Sequence, residues 1–459
     1  MDFAGRKVRI NKISLQNFKS VANGNIDLNA VDALRKDRAS VMGIYGQNGS
    51  GKTVVVEALA ILKYILTGNK IPNHYAEIIS EGEDSCTLAV EFAIIADDHT
   101  DCTAIYGCTL ARRDDPNSSK DERNSIIAVI GESLKISGLF DGVKYKSQFI
   151  AETDENCRLV RPDNKAALLY GKDDETLRQL EKQKILALYG SRSFIFSEQS
   201  LEVLKSIREN ALWTVIATIR LYAVTKLFVI GEQTGNPLVF NFIREDKNAG
   251  IAGQIRFRLD RKDVLSAEAL SVFISLMPSI NAVLSCIVPG LTIMCKHQKS
   301  SLDDANDQYE VELFSQRKDL GTFPFKNESL GIKKILSFIV MFIAAYNDPG
   351  FTLAIDEMDS NIFEYLVGEL VSIMESTGQG QLIFTSHNLR PLEMLCWSSI
   401  TFTTNDRENR YTQIKAKITN NLRDMYFRRI SIGRDRVELY DGTSKNQIAH
   451  AFRMVGSGR

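Results

Sequence analysis

Apolar and polar residues alternate through residues 8–28 (VRINKISLQNFKSVANGNIDL) in two short runs. Period two on either side of the turn-like Asn17-Phe18-Lys19-Ser20 predicts two strands. A continuous apolar run at residues 39–45 (ASVMGIY) reads as a buried strand, and a glycine-rich turn and the helical pattern Val54–Leu66 follow it. From about Ser85 to Val160 the chain returns to β-rich runs, interrupted by the polar stretch Arg112–Ser125, an expected exposed loop. From about Asp173 to Ile230 the spacing of Leu177, Leu180, Ile185 and Leu188, then of Leu201, Leu204, Ile207 and Leu212, predicts helices. A second helical stretch is expected over Ala267–Ile287, and polar sequence around Gln298–Gln308 leads back into β and then α signals. The pattern predicts an α/β protein with a β lobe and a compact, mainly helical middle.

Composition narrows the class by exclusion. Of 459 residues, 44% are hydrophobic and 25% charged, an ordinary globular balance. Lys+Arg (56) match Asp+Glu (57), so net charge does not favour a nucleic-acid partner. The cysteines Cys86, Cys102, Cys108, Cys157, Cys286, Cys295 and Cys396 are odd in number and form no CxxC pair. They read as reduced thiols of a cytoplasmic protein, and the five scattered histidines suggest no metal cage. The start, MDFAGRKVRI, has no signal-peptide pattern, and the apolar run Ile335–Tyr346 is too short to span a bilayer, so no membrane is expected.

The chemistry concentrates in a few segments. Gly46-Gln47-Asn48-Gly49-Ser50-Gly51-Lys52-Thr53 fits G-x-x-x-x-G-K-[ST] between a strand and a helix. Glycines let backbone N–H groups curl around phosphate oxygens, Lys52 supplies a cation to the β- and γ-phosphates, and Thr53 offers a hydroxyl to Mg²⁺. The helix N-terminus adds positive potential at the same point. Thr352-Leu353-Ala354-Ile355 is an apolar strand ending in Asp356 and Glu357. Alone this is equally a solvated strand end. Beside a phosphate loop, Asp356 is placed to hold Mg²⁺, and Glu357 to orient and deprotonate the attacking water. Gln381–Thr385 is a further buried strand, and after one intervening helix (about Asn361–Ser376) it would bring His387 to the same sheet edge, within reach of a γ-phosphate. A lone His is more often structural; its position here favours the functional role. Ser329 and Gly331, in Glu328-Ser329-Leu330-Gly331-Ile332-Lys333-Lys334, open an apolar helix and form either a second anion-binding surface or an ordinary N-cap.

In order, NFKS, GQNGSGKT, ESLGIKK, AIDEMDSN and TSHN resemble the ABC-type ATPase heads of the SMC, Rad50 and RecF group. They resemble more closely the compact AAA15 and OLD-type relatives found in bacterial defence genes, to which the closing NLRDMYFRRI…VELY is also similar. The resemblance covers about a third of the chain. It implies an α/β P-loop ABC-type head with an antiparallel β lobe and a compact, mainly helical insertion. The expected units are residues 1–170 (phosphate loop and β lobe), 171–297 (insertion) and 298–459 (signature, acidic strand end, switch histidine and basic C-terminal segment).

It further implies an ATPase whose cofactors are ATP and Mg²⁺, and a homo-oligomer in which two heads sandwich ATP. Lys52, Thr53, Asp356, Glu357 and His387 would come from one chain, Ser329 and Gly331 from the other, with Asp359-Ser360-Asn361 crossing between them. Phe18 and Lys19 match residues near the adenine in relatives, and Gln199 is the candidate Q-loop glutamine on the metal. Partners implied are a separate effector encoded nearby, of Toprim nuclease type, and a phage-protein trigger.

The sequence also departs from the pattern. Ser-Leu-Gly-Ile-Lys in place of Ser-Gly-Gly-Gln argues against a transporter subunit, and Ile362-Phe363 replace a Leu-His. Only 275 residues separate Thr53 from Glu328, too few for long coiled coils, and no C-terminal Toprim signature follows. An alternative is a RecF-like DNA-binding ATPase. Lys415, Lys417, Arg423, Arg428, Arg429, Arg434 and Arg436, with Tyr426 and Phe427 interleaved, form a basic stripe; such a stripe is also read as a solvated face or a subunit contact.

Overall fold

The computed structural model describes residues 5–97, 99–114, 125–153, 159–161, 190–198, 200, 211–231, 238–244, 251–300, 308–413, 422–426, 447 and 450–452. Strands β1 (Lys7–Phe18) and β2 (Val21–Asp27) lead through a short helix α1 (Ala30–Arg35) to β3 (Ser40–Tyr45), the phosphate loop and α2 (Lys52–Leu66). Four long strands follow, β4 (Ser85–Ala96), β5 (Thr100–Asp114), β6 (Ser125–Phe140) and β7 (Val143–Thr153), with a short β8 (Leu159–Arg161). Helix α3 (Ala211–Thr225) runs into β9 (Leu227–Ile230), and β10 (Leu238–Arg244) pairs with β11 (Ile251–Phe257). Next come β12 (Asp263–Ser266), α4 (Ala267–Ile287), β13 (Leu291–Lys299), β14 (Gln308–Arg317) and β15 (Gly321–Pro324). The remainder alternates: α5 (Leu330–Asn347), β16 (Thr352–Ile355), α6 (Glu364–Thr377), β17 (Gln381–Thr385), then β18 (Ile400–Thr403) and β19 (Tyr411–Thr412).

The strands form two large sheets of opposite character. One is a seven-stranded antiparallel sheet, β2-β1-β4-β5-β6-β7-β8. Its strands alternate buried and half-buried positions, as in β4, where Cys86, Leu88, Val90 and Phe92 face the core. The other is six-stranded, β19-β18-β3-β17-β16-β9, parallel throughout except for its edge strand β19. Every residue of β3, β16, β17 and β18 is buried, because helices or the other sheet cover both faces.

Alternate residues of these strands feed different cores. Met42, Ile44, Ala354 and Ile383 pack with α2, α3 and the antiparallel sheet. Val41, Tyr45, Leu353, Ile355, Leu382 and Phe384 pack with α4, α5 and α6. Buried polar groups tie the sheets together. Arg9 on β1 donates from Nε to the Pro349 carbonyl at 2.8 Å and from Nη2 to that of Gln379. Gln381 exchanges two hydrogen bonds with the Ile10 backbone.

The middle of the chain departs from expectation. Leu227–Ile230, read as the end of a helical stretch, is a strand paired in parallel with β16. Four apolar residues carry no period by which to tell a buried strand from a helix turn. Residues 238–266 add three more strands to the segment expected to be mainly helical, and the expected boundary at 297 falls inside β13, which pairs with β14 as a hairpin. Residues 173–189 and 201–210, where helices were expected, lie outside the described residues. Both α4 and α5 are long and apolar enough to cross a bilayer by length and composition. In this fold α5 lies against β16 and β10, and α4 rests one face, Leu270, Phe273, Met277, Ile280 and Leu284, on β12–β14.

Candidate nucleotide site

Parallel strands that end at one sheet edge bring together residues far apart in sequence, and ligands of such sheets bind beyond those carboxyl ends. Strand β3 delivers the phosphate loop, β16 delivers Asp356 and Glu357, and β17, hydrogen-bonded between them, delivers Thr385, Ser386 and His387.

The loop conformation requires its glycines. Gly49 and Gly51 sit at φ of 75° and 95°, and a Cβ on Gly46 would meet Thr403 Oγ1 at 1.6 Å. Gly51 is followed at once by the first turn of α2, whose free N–H groups point toward the loop. Ser50 Oγ donates to the Gln47 carbonyl at 2.6 Å and lies 2.5 Å from Thr403 Oγ1, while the Tyr411 hydroxyl donates to the Gly51 carbonyl at 2.8 Å. Lys52 is buried, and its ammonium donates to the carbonyls of Gly46 and Gln47 at 2.9 Å. Burial lowers its pKa, and the carboxylates of Asp356, Glu357 and Asp359 oppose that shift. Asn48 is exposed at the tip of the turn.

Asp356 is 1% exposed. Its Oδ1 accepts from Thr385 Oγ1 at 2.5 Å and from Thr53 Oγ1 at 3.3 Å. Its Oδ2 is buried with no hydrogen-bond partner among the described residues. An unsatisfied buried carboxylate oxygen is costly, on the order of 1–3 kcal/mol or more, unless a cation completes it. With the Thr53 hydroxyl beside it, the pair fits Mg²⁺, a hard cation that takes oxygen ligands. Among the described residues no group of three His, Cys, Asp or Glu makes a self-sufficient cage, so such an ion would be shared with phosphate oxygens.

Glu357 occupies the left-handed region at φ 45°, a conformation that costs a residue with a side chain about 1 kcal/mol. Its backbone N–H donates to Thr385 Oγ1 at 2.8 Å, so one hydroxyl fixes both acidic residues. Asp359 accepts the backbone N–H groups of His387 (3.1 Å) and Asn388 (2.9 Å) and holds the exposed His387 beside the acidic pair.

Other predicted residues lie elsewhere or outside view. Phe18 is a correction: it is fully buried, paired with Ile79 and packed in the core, so its ring offers no face to an adenine. Period two from Ile13 and Leu15 leads to Asn17, whose φ of 57° breaks the alternation and leaves Phe18 buried instead. Lys19, in the turn at φ 46°, pairs its ammonium with Glu57 of α2 at 2.6 Å. Gln199 lies outside the described residues, as do Lys415, Lys417, Phe427, Arg428, Arg429, Arg434 and Arg436 of the basic stripe. Arg423 pairs with Glu393, and Tyr426 is buried against Phe402.

Ser329 caps α5, its Oγ accepting from the Ile332 N–H at 3.3 Å, and is exposed. Gly331 packs on the Asp359–Asn361 loop so tightly that a Cβ would meet the Asn361 carbonyl oxygen at 2.4 Å. Beside that contact Leu330 is 62% and Phe363 71% exposed, Phe363 stacking on Tyr365 at 5.5 Å. The buried Lys334 reaches from the same helix to the Asp356 carbonyl. Sequence reasoning missed Thr385, Thr403, Tyr411 and Lys334. Only Thr385 had a local signal, as the last residue of the strand before His387.

An AAA-domain family model matches residues 12–212, and a second, described as an AAA domain and as an AbiEii toxin of a type IV TA system, matches residues 226–393. Both matches are to AAA domains, so the phosphate loop and the acidic strand end each fall within sequence of AAA type. The two matches meet across the described site, with the phosphate loop in the first and the acidic and switch residues in the second. Solved structures similar to the chain include an Smc head bound to the C-winged helix domain of ScpA (13% identity, 89% of this chain and 98% of that one, TM-score 0.43). Others are the SMC head domain from Thermotoga maritima (14%, 89% and 100%, TM-score 0.38) and the recombination mediator protein RecF of the RecFOR pathway (9%, 90% and 100%, TM-score 0.38). No curated protein matches the chain.

Proposed function

We propose that the chain hydrolyses Mg²⁺-ATP in a site shared between two copies, and that it is the sensor and regulatory subunit of a bacterial anti-phage system whose toxic activity resides in a separate effector. The observation that carries the shared site is the surface beside it. Ser329 and Leu330 lie exposed next to the Asp359–Asn361 loop, and the apolar Leu330, Phe363 and Tyr365 face solvent around them. Clustered exposed apolar side chains beside polar groups are the signature of a covered surface. A second copy brings its Ser329 hydroxyl and the N-terminus of its α5 to the phosphates held by the first.

Lys52 exchanges its loop carbonyls for phosphate oxygens, and Glu357 takes a proton from the attacking water while His387 steadies the γ-phosphate. Thr53 and Asp356 would hold Mg²⁺, which would supply neutralisation of the phosphate charge. The regulatory role is supported by the compact middle, by the ordered resemblance to ATPases of defence genes, and by the toxin-linked description of the second match. In size and layout the chain resembles the ATPase subunit AriA of the PARIS system, whose effector is a separate Toprim-type protein. A homo-oligomer that releases its effector on sensing a phage protein follows from that reading.

Glu357→Gln should bind ATP and lose at least about 100-fold in hydrolysis, the usual contribution of a general base. Purified with its genetic neighbours, ATP and Mg²⁺, it should run as a large particle carrying a second protein by native mass spectrometry. A bare dimer that gains mass only with DNA would replace the sensor reading with a RecF-like one. Ser329→Arg, which sets charge and bulk against the partner, should abolish turnover while single heads still bind ATP; unchanged turnover would rule out the shared site.

A further inference from the structure

A cavity of about 610 Å³ runs along the flank of α2 away from the phosphate loop. Thr53, Val56, Glu57, Ala60, Lys63, Tyr64 and Thr67 line it at helical spacing, so it follows one helix face. Fourteen residues at 1.5 Å rise make that face about 21 Å long, with Lys63 roughly 15 Å along the axis from Thr53. The near end is Thr53 and Asp356, the two groups that fit the metal. The far end is cationic: Lys63, Arg220 of α3 and Arg256 of β11.

Among the described residues counter-charge at this end is sparse, the Glu198 carboxylate acting on Arg220 alone. None of the three makes an ion pair among the described residues, and the carboxylate in the wall between them and Asp356, Glu57, is already paired with Lys19. Arg220 Nε is buried without a hydrogen-bond partner among the described residues, and the Lys63 ammonium donates to the Leu227 carbonyl at 2.7 Å and lies 4.4 Å from the centre of the Phe228 ring. Burial, with Arg256 nearby, lowers the Lys63 pKa to about 7. Like charges gathered in a half-enclosed space, with donors left over, are compensated by an anion. The volume and the His74 and Tyr75 side chains in the wall leave room for more than a bare ion.

We propose that this cavity is a second phosphate-binding site, distinct from the phosphate loop, in which Lys63, Arg220 and Arg256 hold a phosphate group. The phosphate is either the one cleaved at the near end, a source that rests on the hydrolysis proposed above, or that of a free small ligand.

The first arm needs no turnover. In full-length Lys52→Ala protein, where the phosphate loop is disabled, inorganic phosphate should bind saturably by isothermal calorimetry. Lys63→Met should weaken that binding roughly tenfold, the size of one charge-assisted hydrogen bond, and the exposed Arg256→Met, which leaves the interior intact, should weaken it measurably. Sulfate, whose charge is fixed over the range, should bind more tightly at pH 6 than at pH 8. Arg220, Arg256, His74, Tyr64, Tyr75 and Glu57 line the same cavity, with Glu198 acting on Arg220, and Lys63→Met should reduce that difference. Absent saturable binding, or binding that both cation variants leave untouched, overturns the proposal.

The second arm assigns the source with a fluorescent phosphate sensor in a single turnover of protein with Lys52 intact. If the cleaved phosphate passes through the cavity, Lys63→Met changes its release rate and leaves the cleavage rate unchanged. If both rates are unchanged while the first arm binds phosphate, a free phosphorylated ligand is the occupant. Absence of cleavage in the parent protein would sink the hydrolysis reading and leave the first arm standing.

Discussion

Two buried carboxylates, one on each large sheet, show how similar groups serve different ends. Asp356 at the end of β16 has one oxygen satisfied by two hydroxyls and the other without a partner among the described residues. Glu132 in β6 of the antiparallel sheet is buried as deeply, yet both oxygens are filled. Oε1 accepts from Tyr106 and Ser193 hydroxyls at 2.6 Å, and Oε2 accepts the backbone N–H groups of Phe194 (2.6 Å) and Ile195 (3.3 Å). A filled carboxylate holds structure, here the loop Ser193–Ser197 against the sheet. One with an open oxygen is poised for a cation and costs stability until it arrives.

The largest expected break in that comparison is at Asp356. Asp356→Asn removes the charge that fits Mg²⁺ and should lower Mg²⁺-dependent ATP hydrolysis by at least about 100-fold, read by steady-state phosphate release. The same change should leave the thermal stability of the nucleotide-free protein equal or higher, because a buried carboxylate with one oxygen unbonded among the described residues disappears while Thr385 keeps its acceptor. A lower melting temperature without nucleotide would mean that Asp356 is structural and that the contrast with Glu132 is false.

Glu132→Gln should behave in the opposite way. The amide can keep its oxygen on the Phe194 and Ile195 N–H groups only by turning its NH₂ to Tyr106 and Ser193, whose buried hydroxyls then lose their acceptor. The expected loss is about 1–3 kcal/mol of unfolding free energy by denaturant titration, with hydrolysis per folded molecule within a few-fold of the parent. A stable variant with hydrolysis abolished would place Glu132 in the chemistry instead.

That division also explains which parts the sequence made legible. The phosphate loop, Asp356, Glu357 and His387 were readable because parallel strands put chemistry at their carboxyl ends, where short contiguous motifs carry it. Glu132 was invisible: one charge among alternating residues of β6 looks solvated, and its partners lie 26 to 63 residues away. Thr403 and Tyr411 escaped for the same reason, since each touches the phosphate loop from more than 350 residues away. Phe18 shows the converse error. The resemblance suggested an adenine contact, but the left-handed Asn17 breaks the strand period and leaves the Phe18 ring in the core. Leu227–Ile230 were misread because a strand buried on both faces leaves no period to find, the same property that marks its neighbours β3, β16 and β17.

The smallest effect separates the two carboxylates by pH. Burial is the largest influence on Glu132 and raises its pKa above the usual carboxylate value, while the hydrogen bonds from Ser193, Tyr106, Phe194 and Ile195 pull it back. A raised folded-state pKa means that the folded protein holds the proton longer than the unfolded chain does. The stability linked to that proton is fully present below the unfolded pKa, about 4.3, and is lost as pH rises through the folded value. One group contributes a slope of at most about 1.4 kcal/mol per pH unit. Unfolding free energies of the parent and Glu132→Gln, measured from pH 5 upward, should therefore converge as pH rises, the advantage of the parent being greatest at the acid end. An advantage that grew with pH would show the four donors outweighing burial and would give Glu132 a depressed pKa.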